Sequence, residues 1–91
     1  MKYTVISTNR FEKSVKKCVK RGLDVNELKC VIDLLARTGA LPLKYRPHKL
    51  VGKYEGLWEC HIAPDWLVMW EQNDTSLTLL LLDTGTHSDL F

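Results

Sequence analysis

Leu77-Thr78-Leu79-Leu80-Leu81-Leu82-Asp83 is nearly continuously apolar, and that run constrains the fold more than any other part of the chain. A strand with hydrophobic side chains at successive positions presents them on both faces, so it belongs inside a sheet and is covered at least in part on each side. The chain has 91 residues, enough for one core and too few for a second, which predicts a single domain over residues 1–91. The cover for both faces must therefore come from the rest of the same short chain.

Two amphipathic helices can supply one face. Tyr3 to Ser7 is rich in β-branched residues and reads as a first strand, after which Asn9 with Glu12 makes a candidate N-cap and capping box. Phe11, Val15, Cys18 and Val19 then fall at i, i+4, i+7 and i+8 and form one apolar stripe, with Lys13, Lys16, Lys17 and Lys20 covering the remainder. Gly22 closes this helix. Asp24 with Glu27 opens the next, in which Leu28, Val31, Ile32 and Leu35 keep the helical period up to Gly39. The pair predicts a helical hairpin laid on a sheet.

Ala40 to Lys53 contains Pro42, Pro47 and the cations Lys44, Arg46, Lys49 and Lys53, and reads as a loop. Tyr54 to Ile62 reads as a strand, Pro64-Asp65 as a turn, Leu67 to Gln72 as a strand and Asn73-Asp74-Thr75-Ser76 as a hairpin turn. Thr84-Gly85-Thr86 breaks the final strand and delivers His87 into a short, flexible tail ending at Phe91. The order β-α-α-β-β-β predicts an α+β fold, a mainly antiparallel sheet with the α-hairpin on one face. Alternation assigns Tyr54, Trp58, Cys60 and Ile62 to one side of their strand, and Glu55, Glu59 and His61 to the other. The stretch His48 to Trp66 thus gathers two of the three histidines, the carboxylates Glu55, Glu59 and Asp65 and a tight turn, which marks it as a site. Trp58, Trp66 and Trp70 are packing residues, with Trp66 also a candidate for the site's rim.

Composition narrows the setting. No unbroken apolar run, Leu79 to Leu82 included, comes near the length of a membrane span, and no export signal is visible, so the expectation is a cytoplasmic protein with no membrane partner. Cys18, Cys30 and Cys60 are an odd number at wide spacing and read as reduced core residues. All thirteen Lys and Arg lie in residues 1–53 against four acids, a net of +9, whereas residues 54–91 hold seven acids and no Lys or Arg, a net of −7. A basic helical half suits either a polyanion or an acidic protein partner; a solvated helix face is the plain alternative.

Three patterns in order, His48-x-Leu50-x-Gly52, Glu59-x-His61-x-x-Pro64-Asp65-Trp66 and Thr84-Gly85-Thr86-His87-Ser88-x-Leu90-Phe91, resemble the YafQ-type toxins of the RelE/ParE superfamily. The resemblance spans essentially the whole chain. It implies a RelE-like fold and a type II toxin-antitoxin module, whose toxin is a ribosome-dependent mRNA endonuclease neutralised by a cognate antitoxin protein. Its partners would then be mRNA on the ribosome, ribosomal RNA and the antitoxin. His48, His61, Asp65, His87 and Phe91 match the family's active-site positions. Where the family pattern has an aspartate two residues before the second histidine, this chain carries Glu59.

The chemistry such residues can perform needs no cofactor and no metal. RNA supplies its own nucleophile, the 2′-hydroxyl, so the protein must take that proton, stabilise charge on phosphorus and protonate the departing 5′-oxygen. Imidazole suits both proton transfers near neutral pH. On this reading His87 is the general acid, His48 or His61 acts with Asp65 on the base side, and Glu59 orients a ring. Phe91 stacks on a base or closes the core, and Arg46, Lys49 and Lys53 bind phosphates. Other readings are a non-catalytic toxin of the same fold, a basic nucleic-acid-binding module using the helix pair, and a metal hydrolase. The first two leave the histidines without a task. The third lacks the tight ligand spacing that such a site needs.

Overall fold

The apolar run is strand β5 (Thr78–Gly85), second in a five-stranded sheet of order β1-β5-β4-β3-β2. The computed structural model describes residues 1–91. Strand β1 (Thr4–Ser7) runs parallel to β5, while β4 (Trp66–Asn73), β3 (Trp58–Ala63) and β2 (His48–Lys49) continue the sheet antiparallel. Helices α1 (Asn9–Lys20) and α2 (Val25–Thr38) follow β1 as the expected hairpin. The α+β arrangement therefore holds. It gains two short elements, the edge strand β2 inside the proline-containing loop and a one-turn helix α3 (His87–Leu90) at the end.

The helices cover the sheet face that carries Cys60, Trp66, Val68, Trp70, Leu79 and Leu81, and these pack on Phe11, Cys18, Leu28, Val31 and Leu35. Each such side chain removed from water contributes roughly 1.5–3 kcal/mol, so this layer dominates the folding energy. Trp58 stacks on Trp70 with ring centroids 6.0 Å apart. Trp66 is buried in the same layer, where its Nε1 donates to Thr84 Oγ1 at 2.9 Å. It is a core residue, not the rim of a site. Leu80 and Leu82 face the other way, which accounts for the unbroken apolar run in β5.

Several local expectations change. The N-cap of α1 is Thr8, whose Oγ1 accepts from the Phe11 backbone N–H at 3.1 Å; Asn9 is already helical. Val19 stands 50% exposed beyond the edge of the α1 stripe. Cys18 and Cys60 are buried and Cys30 is exposed on α2, so only two of the thiols are core residues. Burial pushes the Cys60 thiol up to about 12. Gly39 ends α2 with φ of 75°, and a side chain there would meet the Tyr3 ring at 2.6 Å.

The strand expected from Tyr54 begins only at Trp58. Gly52–Tyr54 forms a turn of 3-10 helix, and Gly56, with φ of 91°, reverses the chain into β3. Tyr54 consequently crosses to the opposite face from Trp58, joining Leu50 and Leu57 against Leu67, Met69 and Leu90. Strand β5 runs through Thr84 and Gly85 instead of breaking there. The C-terminal segment is likewise a capped turn, closed by reciprocal bonds between Thr86 and Asp89.

Candidate active site

Glu59 lies opposite Met69 and His61 opposite Leu67 in the β3–β4 ladder, which puts both on the face away from α1 and α2. Beside them, β2 sets His48 opposite Glu59. The turn after β3, with a register shift between His61 and Ala63, brings Asp65 towards the start of α3. Three elements thus deliver the chain's three histidines to one surface. The His48 and His61 rings are 6.2 Å apart, His61 and His87 5.9 Å, and His87 and Phe91 6.3 Å. Phe91 in turn meets Tyr54 edge-on at 5.2 Å. The result is an open arc of rings, accessible to a long polymer.

Each outer histidine has its own carboxylate. Glu59 Oε1 is 3.3 Å from His48 Nε2, and Asp65 Oδ1 is 3.4 Å from His87 Nδ1 while also accepting the His87 backbone N–H at 3.2 Å. Asp65 therefore belongs with His87, not with His48 or His61, and the ring that Glu59 orients is His48. A carbonyl oxygen only accepts, so the 2.9 Å contact between His48 Nδ1 and the Arg46 carbonyl places a proton on Nδ1. Both nitrogens of His48 are then engaged. His87, held at Nδ1, turns Nε2 away from Asp65.

The centre of the arc is energetically unusual. Two buried side-chain polar atoms in the protein have no hydrogen-bond partner, and both are here: Glu59 Oε2 and His61 Nδ1. Glu59 is only 3% exposed. Withdrawing a carboxylate from water with half its acceptors unmatched costs stability, so this arrangement is not one that folding alone would favour. Groups of this kind concentrate where chemistry is done.

The remaining candidates divide. Phe91 is 53% exposed, so it does not close the core; Leu90 is the buried residue of α3. Arg46, in a left-handed conformation with φ of 50°, shares with Lys44 and His61 a shallow depression of about 190 Å³. Lys53 lies over the Tyr54 ring at 5.6 Å, and it is Tyr54 that meets Phe91. Lys49 is not part of the arc: it extends over Trp58, which lies on the helix-covered face. The charge separation along the chain is also partly neutralised in space, because Arg10 pairs with Asp83, and Lys17 and Arg21 pair with Asp89. Lys13, Lys16 and Lys20 stay exposed. Sequence reasoning had no signal for Tyr54 as a neighbour of Phe91, since that contact depends on the turns around Gly52 and Gly56.

Comparison with known proteins shows the family and fold of the chain. Residues 3–91 match the family model described as the bacterial toxin of type II toxin-antitoxin system, YafQ. The mRNA interferase toxin YafQ of Escherichia coli strain K12 is 36% identical over 85 residues, which are 92% of this chain and 90% of that protein. The crystal structure of YafQ from E. coli strain BL21(DE3) superposes with a TM-score of 0.90 at 33% identity, covering 98% of each chain. A toxin chain in the crystal structure of the E. coli DinJ-YafQ toxin-antitoxin complex gives 0.88 at 34% identity, covering 100% of this chain and 99% of that one.

Proposed function

Because the chain belongs to the YafQ family of bacterial type II toxin-antitoxin toxins, we propose that it is the toxin of such a module and a metal-independent endoribonuclease that cuts mRNA on the ribosome in the cytoplasm. The observation that carries this reading is the arc His48–His61–His87–Phe91 on one open sheet face, with ring centroids about 6 Å apart in sequence. Purely binding surfaces have no need for three adjacent titratable rings, each outer one braced by a carboxylate.

The geometry supports a division of roles. His87, with Asp65 against Nδ1, presents Nε2 and serves as general acid to the 5′-oxygen. His61, between its two neighbours and with its Nδ1 buried, can offer only Nε2 to substrate and is the better base for the 2′-hydroxyl, since His48 has both nitrogens occupied. His48, braced by Glu59, places a cationic imidazole beside the phosphate when it is protonated, and preorganised positive charge acts most strongly as negative charge develops on the phosphoryl oxygens. Phe91 offers a stacking surface worth about 1–3 kcal/mol per base. Arg46 and Lys53 flank the arc as phosphate contacts. Lys13, Lys16 and Lys20 provide a separate cationic face for ribosomal RNA. The cognate antitoxin, as in the DinJ-YafQ complex, is the protein partner that silences the site.

Incubation of the purified protein with mRNA-programmed ribosomes tests this reading. Cleavage within the message is expected with ribosomes, none on addition of the antitoxin encoded beside it. Intact message together with poisoned DNA gyrase would replace it with the non-catalytic toxin reading. A second expectation concerns Glu59. Glu59→Gln removes the charge facing His48 and should slow cleavage about ten-fold or more, as for loss of a charge-assisted hydrogen bond. Glu59→Asp keeps the charge and should lose less. Thermal stability of Glu59→Gln should be unchanged or higher, because an incompletely paired buried carboxylate has been neutralised. Equal, near-complete activity in both variants would make Glu59 a bystander.

A further inference from the structure

Helix α3 carries His87 and Phe91, yet it is a single turn, and one turn of helix is not stable by itself because nucleation fixes several residues for very few hydrogen bonds. Something outside it must hold it. Leu90 supplies an apolar anchor against Leu67 and Met69, and the exposed Asp65 accepts the His87 N–H at 3.2 Å, but neither ties the turn to the helical layer. The hold that does is Asp89. Its Oδ2 accepts the Thr86 backbone N–H at 2.9 Å and, on the same oxygen, Arg21 Nη1 at 2.6 Å; its Oδ1 accepts Arg21 Nη2 at 3.2 Å, with Lys17 Nζ at 3.6 Å. Asp89 also lies tight against Gly85, where a Cβ would come within 2.6 Å of Oδ2 at a φ of 154° that side chains rarely adopt.

Arg21 is itself anchored. It is the C-cap of α1, its backbone N–H closing on the carbonyls of Lys17 and Cys18 at 3.2 and 3.1 Å. The fork of its guanidinium matches the carboxylate of Asp89 in the two-point geometry that fixes direction as well as distance. We propose that Arg21 and Asp89 are a positioning pair for the cleavage reaction, a clamp from the end of α1 that sets the angle of α3 and so the placement of His87 and Phe91 relative to His61. This rests on the reading of His87 and Phe91 as residues of RNA cleavage. Neither Arg21 nor Asp89 touches the histidine rings, so their effect on the chemistry is exerted through α3. The Arg21 guanidinium and the Thr86 N–H hold the Asp89 carboxyl well below the usual carboxylate range, so the clamp stays charged through the mildly acidic to neutral range.

Arg21→Ala removes the clamp and leaves the Thr86–Asp89 cap intact. In cleavage on programmed ribosomes it should lower kcat about ten- to a hundred-fold, as small misplacements of catalytic groups do, with a smaller rise in KM, on the order of a few-fold, because Lys13, Lys16 and Lys20 remain and only the Phe91 contact is displaced with α3. Arg21→Lys restores the charge without the fork and should recover part of kcat. The Leu90 and Phe91 amides, which donate to the Thr86 and His87 carbonyls, should exchange faster with solvent in Arg21→Ala, while the core amides of β5 stay protected. Asp89→Asn combined with Arg21→Ala should be no worse than the more damaging single change, as expected for two ends of one contact.

Wild-type kcat in Arg21→Ala with unchanged exchange at residues 90 and 91 would overturn the clamp. So would a loss of kcat accompanied by equal loss of protection in β5, which would mark Arg21 as a contributor to overall stability. The wild-type protein tests the parent reading separately: if it cuts no message, that reading fails, and the exchange measurements still decide whether Arg21 holds α3.

Discussion

His87→Ala should abolish growth inhibition and reduce mRNA cleavage by at least about a hundred-fold, the lower end of what a positioned general acid contributes. The variant should remain folded and bind its antitoxin. Little of what holds α3 involves the imidazole: Thr86 and Asp89 cap the turn, Leu90 buries against Met69, and the backbone N–H that Asp65 accepts is present in alanine as well. The ring is 57% exposed, so its removal opens no cavity and should change stability by no more than about 0.5 kcal/mol, as at other surface positions. Growth inhibition, cleavage on programmed ribosomes and thermal midpoint measured together separate lost chemistry from lost structure. Full toxicity of a well-expressed His87→Ala protein would remove His87 from the mechanism.

The positions on which that expectation depends were legible in the sequence to unequal degrees, and the reasons are physical. Alternation in Trp58-Glu59-Cys60-His61-Ile62 correctly put Glu59 and His61 on one face, because a paired strand with one buried face has no freedom to slip. Helical periodicity did the same for Phe11, Cys18, Leu28, Val31 and Leu35. It failed at Val19, which sits at the margin of the stripe, where a turn of a few degrees exposes the side chain. The cap of α1 was misplaced by one residue because Thr8 and Asn9 are both competent acceptors, and the choice between them is made by the contact of Thr8 Oγ1 with the Leu81 carbonyl at 2.9 Å, a neighbour in space rather than in sequence.

Pairings within the site were the least legible. His48 reaches Glu59 only because the chain after Pro42 folds through a 3-10 turn and a left-handed Arg46 into a two-residue edge strand. Nothing in the period of so short a segment announces a strand. Asp65 sits between His61 and His87, and only the register shift at the end of β3 and the capped turn of α3 direct it to the latter. Tyr54 likewise changes face because Gly52 and Gly56 permit positive φ at 68° and 91°. The residues of the site could therefore be named from their types and order, while the partner of each carboxylate is a property of turns. The Arg21–Asp89 contact, between residues 68 apart in the chain, belongs to the same class.

Replacing the 2′-hydroxyl on the 5′ side of the cleaved bond with 2′-deoxy or 2′-O-methyl should stop cleavage altogether, a larger effect than any side-chain change, because it removes the nucleophile instead of one of its helpers. Neither a serine nor a cysteine is activated to substitute: Cys60 lies in the core on the opposite face, and Ser88, exposed beside His87 on α3, is a plain hydroxyl, which is a weak nucleophile unless a base takes its proton. With the 2′-oxygen attacking phosphorus, His61 removes its proton, the bond to the 5′-oxygen breaks, and His87 supplies the proton that oxygen needs on leaving. The products are then a 2′,3′-cyclic phosphate, or the 3′-phosphate from its opening, and a free 5′-hydroxyl. A water activated by a metal ion would behave differently, typically leaving a 5′-phosphate and tolerating the blocked sugar. Ribosomes require magnesium, so removing divalent ions is informative only on short free RNA, if that is cut; on programmed ribosomes the end groups and the blocked substrate carry the distinction. Cleavage of the 2′-O-methyl message at an undiminished rate would eliminate histidine-assisted attack by the 2′-hydroxyl, and with it the roles given to His61 and His87, while leaving the fold and the family of the chain untouched.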